Sequence, residues 1–263
     1  MAPDVFRLNP HEPFPRLTRP PIVEAVIHWQ ARAVQPFSDQ TLSASLAPHF
    51  PDRSPPESIH QVELTAHFSQ APEDASSQVS HKRRWQGVRV RLLGGREVAQ
   101  FTRDGLVFSR VRDYENWEPF LEDARRAWLV YREIAQPLEI ERLGVRFINH
   151  ISEATAQSIQ DYLREPPTCP SGLPLKEFVY QSTFDVPGHP FQARVIKVIQ
   201  PSMPGLATSS GLFLDIDVFT TGALPVEGAE VDDALSRLRC LKNKVFFDLI
   251  TEAAVSAFSR SDP

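Results

Sequence analysis

Apolar and polar positions alternate most sharply between residues 88 and 111. Val88, Val90 and Leu92 are separated by Arg89 and Arg91, the period of two that sends successive side chains to opposite faces of a strand. Gly94-Gly95 and Asp104-Gly105 interrupt the run, and both dipeptides supply the positive φ angles that tight hairpins need. The spacing predicts a meander with strands over 88–92, 96–102 and 106–111. Further strands are predicted at 22–34, 61–69, 139–151, 177–186, 191–199 and 212–220, all rich in β-branched and aromatic residues. Residues 70–84 offer almost nothing to bury and read as a flexible loop. Residues 51–58 and the stretch following 200 read as loops too.

Helical periods lie between these strands. Leu42 and Leu46 share a face behind Ser38, a residue suited to capping, which predicts a short helix over 38–47. Trp117, Leu121, Ala124, Trp128 and Tyr131 form a stripe behind Asn116, with Glu118 and Pro119 in the first turn, and predict a helix over 117–134. Leu235, Leu238, Leu241, Val245 and Leu249 predict one long helix over about 230–258, in which only Glu252 breaks the period. A short helix is expected at 155–163. Pro3, Pro10, Pro13, Pro15, Pro20 and Pro21 make residues 1–21 an extended N-terminal arm.

The predicted order is β-α-β-β-β-β-α followed by β-α-β-β-β-α. A constant offset of 117 residues pairs Glu24 with Glu141, Ser38 with Thr155, Leu42 with Ile159, Leu46 with Leu163 and Leu121 with Leu238. Internal duplication is therefore expected, with residues 22–137 and 138–263 as two pseudo-repeats of one compact module. Each unit has a helix stripe that must be buried, and the sheet face is its available partner. The expected fold is α+β, a curved antiparallel sheet with two long helices on one face. In connection order it resembles the saddle of the TATA-binding protein; a helix-grip fold and two ferredoxin-like units are the alternatives. Such likeness concerns fold and carries no function.

Three segments carry a family resemblance. They are PPIVEAVIHW (20–29), SRVRDYENWEPFLEDARRAWLVY (109–131) with ERLGVRFINHI (141–151), and LDIDVF (214–219). Together they resemble a sporadically distributed, uncharacterised bacterial family of about this length. Its members begin with a PPIVEAV-like strand and contain an R-x-G-x-R-[YF]-I-N strand, here Arg142, Gly144, Arg146, Phe147, Ile148 and Asn149. The resemblance implies a prokaryotic, whole-chain module. It supplies no activity, cofactor or catalytic residue.

Composition narrows the classes. Of 263 residues, 41% are hydrophobic and 23% charged, as in a globular chain rather than a disordered one. Cys169 and Cys240, the only cysteines, cannot build a disulfide scaffold or a cysteine zinc site and suit a reducing cytosol. No apolar run reaches the length of a membrane span or of a signal-peptide core. A cytoplasmic protein without a membrane partner is expected. Glycine-rich nucleotide loops, H-E-x-x-H and G-x-S-x-G are all absent, and no cofactor is assigned.

Four charged residues stand at same-face spacing on predicted strands. Asp215 and Asp217 are two apart, with Leu212, Leu214, Ile216 and Val218 on the other face. Arg142 and Arg146 are four apart, with Asn149 opposite. Paired carboxylates can hold a hard cation or divide acid and base roles, but two ligands are too few for a metal site. Strand arginines can grip carboxylates or phosphates bidentately. Alternatively the four form an internal ion network across neighbouring strands. Glu24 and His28 share a face and read as a half-buried pair. His60 and His67, an odd number apart, point to opposite faces. Cys169 has no activating neighbour in sequence. Glu227, Glu230, Asp232 and Asp233 suit the start of a helix.

Charge is distributed unevenly. Residues 81–112 contain nine basic side chains against Glu97 and Asp104, an excess of seven in a chain of net charge −5. Arg83, Arg84, Trp85, Arg89 and Arg91 are the candidates for tracking phosphates and stacking bases; the alternative is that the arginines neutralise acidic segments of this chain or of a second copy. Three functions follow in order of expectation. The first is a non-catalytic binding or regulatory protein holding a macromolecular partner, either another protein or itself. The second is a nucleic-acid binder acting through residues 81–112. The third is an enzyme acting on a small anionic substrate, with Arg142, Arg146, Asp215 and Asp217 in one cleft.

Overall fold

The alternating segments pair into one nine-stranded sheet in which every pairing is antiparallel. The computed structural model describes residues 6–35, 37–68, 77–111, 113–200 and 210–259, with the main chain alone for 62–68, 77–82 and 200. In chain order the elements are β1 (Ile22–Gln30), α1 (Asp39–Leu46), β2 (Glu57–Phe68), β3 (Ser77–Leu92), β4 (Glu97–Thr102), β5 (Gly105–Arg110), α2 (Trp117–Ala135), β6 (Arg142–Ile151), β7 (Phe178–Asp185), β8 (Phe191–Gln200), β9 (Gly211–Thr220), α3 (Ala229–Leu249) and α4 (Glu252–Ser259). The spatial order is β2-β3-β4-β5-β1-β6-β9-β8-β7. The central strands β1 and β6 pair with each other, and after each the chain crosses to an outer edge, β2 or β7, and builds back inward.

The fold is α+β, and the core lies on one side of the sheet. Trp29 of β1 stacks on Trp128 of α2 at 5.4 Å, Phe120 of α2 packs on Phe108 and Phe147, and Phe50 beyond α1 packs on Phe101. Leu235, Leu238 and Leu241 of α3 and Phe258 of α4 join the same buried cluster. The Tyr131 hydroxyl, buried beneath α2, donates to the Ala31 carbonyl at 2.7 Å. Gly105 makes one close approach possible. Its φ is +145°, and a Cβ there would lie 2.0 Å from the Trp29 carbonyl oxygen, so only glycine fits where β5 meets β1.

Three sequence expectations need correction. Residues 77–84 are not loop: β3 begins at Ser77 and pairs with β2 as a two-stranded ribbon that runs past the end of β4. Among the described residues no third strand or helix lies on this ribbon, and without one no apolar alternation is imposed and the pattern gave no signal. The rest of that predicted loop, 69–76, lies outside the described residues, as does most of the predicted loop at 201–211. Residues 155–163 form only a 3-10 turn, Ile159–Asp161, because Thr155 and Ser158 bond each other's backbone N–H groups and Leu163 bridges to Ile250. The long C-terminal helix is two helices. Ile250 is extended, Thr251 donates its N–H to Tyr162, and the Thr251 hydroxyl accepts from Ala254 N to start α4.

Candidate functional site

Strand alternation decides which groups stand on the face away from the helices. On β6 the residues Leu143, Val145, Phe147 and Asn149 are buried toward the helices, so Arg142, Gly144, Arg146 and Ile148 point the other way. On β9, Leu212, Leu214, Ile216 and Val218 are buried, which leaves Phe213, Asp215, Asp217 and Phe219 with the arginines. β6 and β9 are neighbours, and opposite charges on adjacent strands find each other. Arg146 grips Asp215 with two hydrogen bonds, Nε to Oδ1 at 2.8 Å and Nη2 to Oδ2 at 2.5 Å. Arg142 Nη2 donates to Asp217 Oδ2 at 2.7 Å.

Around these pairs the face is crowded and partly dry. The Arg142 guanidinium lies 4.0 Å from the centre of the Phe219 ring, and Arg194 of β8 lies 5.7 Å from the same ring. Burial lifts the Asp217 carboxyl above its ordinary value, against the pull of Arg142, Arg146 and Arg194. His28 of β1 receives Arg142 Nη1 on its Nδ1 at 3.4 Å. A guanidinium can only donate, so the imidazole is neutral with its proton on Nε2. Burial first, and then the Arg142 charge, hold the His28 pKa at about 4. Glu24 shares this face but does not bond His28; its charge acts weakly on Arg146.

These groups form a satisfied network on a sheet surface. A cavity on the helix side is lined by none of Arg142, Arg146, Asp215 or Asp217. No hydroxyl or thiol among the described residues bonds His28, so an imidazole-activated nucleophile is not assembled there. Among the described residues no three His, Cys, Asp or Glu side chains are grouped to hold a metal ion, and none of the helices is long and apolar enough to cross a membrane. Cys169 is exposed and Cys240 is buried, with its thiol against the Asn9 carbonyl.

Several arginines of the basic meander are engaged within the chain. Arg110 is paired with Glu97 and Asp123, and Arg91 with Glu57. Arg83 contacts His60, and Arg103 lies 5.3 Å from the Trp85 ring. Trp85 also packs edge-on against Phe37 at 6.0 Å, at the margin of the core. Arg84, Arg89 and Arg96 are exposed and have no carboxylate partner among the described residues. The Lys82 side chain and Arg112 lie outside the described residues.

Sequence reasoning missed the cavity on the helix side, whose walls come from the N-terminal arm, the start of α2, β6 and α3. No local motif marks it. Comparison with known proteins finds no matching family model, no similar curated protein and no similar solved structure.

Proposed function

We propose that this chain is a non-catalytic binding protein that holds a protein partner across the helix-free face of its sheet. One observation carries the reading. All four helices pack on one side, while the other side presents Val107, Ile148, Ile196 and Phe213, none fully buried, around the Arg142–Asp217 and Arg146–Asp215 ion pairs. A surface that mixes apolar side chains with ion pairs is the ordinary make-up of a protein interface. The same face ends at β7, an edge strand whose Val179, Tyr180 and Phe184 are exposed, and unguarded edges invite added strands. The mirrored strand order supports reading the two halves as a duplication, and membership of the sporadic bacterial family belongs to the same proposal.

Affinity capture from the native host, with cross-links mapped by mass spectrometry, tests this reading. Cross-links to β6, β9 and β8 and loss of the captured protein on Ile148→Asp, with the fold intact by circular dichroism, are expected. A partner that is retained by Ile148→Asp and cross-linked only to the helices overturns it.

Arg84, Arg89 and Arg96, without a carboxylate partner among the described residues, favour nucleic acid as a second reading, because exposed arginines attract phosphates. It requires binding that weakens steeply with salt and disappears in an Arg83→Glu/Arg84→Glu/Arg89→Glu variant. Absence of binding at about 50 mM salt, where phosphate contacts are strongest, rejects it.

A further inference from the structure

The N-terminal arm roofs a cavity of about 1060 Å³ on the helix side of the sheet. The arm is anchored at several points. Phe14 stacks on Phe247 at 5.6 Å, Glu12 pairs with Lys244 at 3.1 Å, and Arg19 N donates to the Phe258 carbonyl at 2.9 Å. Beneath it, Phe147 and Asn149 of β6 contribute to the cavity lining, as do Tyr114 and Trp117 at the start of α2 and Lys242 and Phe246 of α3. The volume matches the largest small-molecule sites, and the lining sets aromatic rings among charged and amide side chains.

The charges in these walls do not all cancel locally. Glu12 is taken by Lys244, and Glu118 is taken by Arg239 at 2.7 Å. At the rim Glu115 and Arg16 are both exposed and opposite in sign. Lys242 is left over. Its ammonium lies 3.8 Å from the centre of the Phe147 ring, donates to Asn243 Oδ1 at 2.6 Å, and has no carboxylate within ion-pair distance among the described residues. Burial and the Arg239 charge together hold its pKa down at about 7, as expected of a cation without a counter-ion. Two more polar groups in the lining lack partners among the described residues. The Tyr114 ring meets Phe147 edge-on at 5.1 Å and its hydroxyl bonds nothing, and buried Asn149 donates to the Leu214 carbonyl at 3.0 Å while its Oδ1 accepts nothing.

From this geometry we infer that the arm-roofed cavity is a binding site for a small organic acid with an aromatic body, its carboxylate held by Lys242 and Tyr114. The ligand's ring packs among Phe147, Trp117 and Phe246. Its carboxylate supplies the counter-ion that the described residues do not provide, and Asn149 Oδ1 accepts from a hydroxyl or amine where the ligand carries one. An apolar body alone would leave the ammonium uncompensated, which is costly in a partly dry site. A phosphate-only ligand would leave the aromatic walls without contact.

The full chain is titrated with 1-naphthoate and with uncharged 1-naphthalenemethanol, following calorimetric heats and stoichiometry. The naphthoate is expected to bind once per chain and about tenfold tighter than the alcohol, the scale of one hydrogen bond to a charged group. Lys242→Met is expected to erase that preference without lowering thermal stability, since it removes an uncompensated charge and keeps the apolar stem. Tyr114→Phe is expected to reduce the preference in part, and it carries the comparison should the methionine variant fail to fold. No saturable binding of either compound up to about 1 mM, equal affinity for the two, or an unchanged preference in both variants overturns the site.

Discussion

Arg110 separates a structural arginine from a binding one. It ends β5 directly opposite Glu97, the first residue of β4. The Glu97 side chain is only 3% exposed and the Arg110 side chain 12%. Arg110 donates through Nε to Glu97 Oε1 at 3.1 Å, donates to the same oxygen through Nη2, and reaches Asp123 Oδ2 of α2 at 2.7 Å. Burial pushes the Glu97 carboxyl above its ordinary value even with these bonds in place. Arg110→Met removes the cation and leaves the carboxylate buried, a change that costs about 3–5 kcal/mol when a buried pair is broken from one side. For a chain of this size that lowers Tm by roughly 10 °C. Glu97 can relieve part of the penalty by keeping a proton. Its folded pKa then rises further above the unfolded one, so the relief is complete below the unfolded pKa and is lost as pH rises through the folded pKa. The deficit against wild type, read by urea unfolding, is therefore expected to be smaller at pH 5 than at pH 8. Arg110→Met/Glu97→Leu should recover most of it, because removing both partners leaves no stranded charge. A deficit under about 1 kcal/mol, the scale of an exposed pair, or one that does not change with pH, refutes the reasoning.

His28 has its folded pKa below the unfolded one, so the unfolded chain takes up the proton first as pH falls. Stability from this group is complete above about 6.5 and is lost toward about 4, a span of about 3 kcal/mol by linkage; His28→Gln should flatten that part of the curve relative to wild type in denaturant titrations at pH 7 and 4.5, and parallel curves contradict it. On β9, Asp217→Ala should cost about 2–3 kcal/mol, because Arg142 is left half-buried against Phe219, whereas Asp215→Ala should cost about 1 kcal/mol, because its partner Arg146 is 45% exposed and exposed pairs are weak. Calorimetry showing the opposite order removes the distinction between the two pairs.

The parts of this fold that a sequence displays are those in which one face must be apolar and the other not. Residues 88–111 show it because one face of each of β3, β4 and β5 is buried in the core, and the arginine and aspartate pairs follow from the same alternation once β6 and β9 are neighbours. Among the described residues nothing covers the ribbon half of β3, and Ser77 to Arg84 carries no pattern. The break between α3 and α4 escapes for a different reason. Ile250 is buried whether helical or extended, so the apolar stripe passes through it, and only Glu252 marks the end of the period. The cavity is least legible of all: Phe14, Tyr114, Asn149 and Lys242 are polar or aromatic residues of ordinary kind, scattered over the chain and brought together by packing alone.

β6 places both candidate surfaces on one strand, one residue apart. Phe147 and Asn149 face the cavity, while Arg142, Gly144 and Arg146 face the open side, so a substitution that spares the backbone should act on one surface only. Gly144 offers the sharpest case. Its backbone does not adopt a positive φ, but a Cβ there would lie 2.6 Å from Arg142 Nη1 and 3.2 Å from its Cζ. The backbone accepts alanine and the flexible guanidinium does not, so Gly144→Ala should swing Arg142 away from Asp217, Phe219 and His28 without disturbing the strand. The Arg142 charge is the smaller of the two causes that depress the His28 pKa, and burial is the larger. The His28 value should therefore rise from about 4 yet stay below the ordinary 6.5, a change that imidazole NMR resonances report directly. Naphthoate binding on the opposite face should be unaltered. If His28 still titrates near its wild-type value, or the cavity loses its ligand, the two faces are not separated by strand alternation in the way this geometry requires.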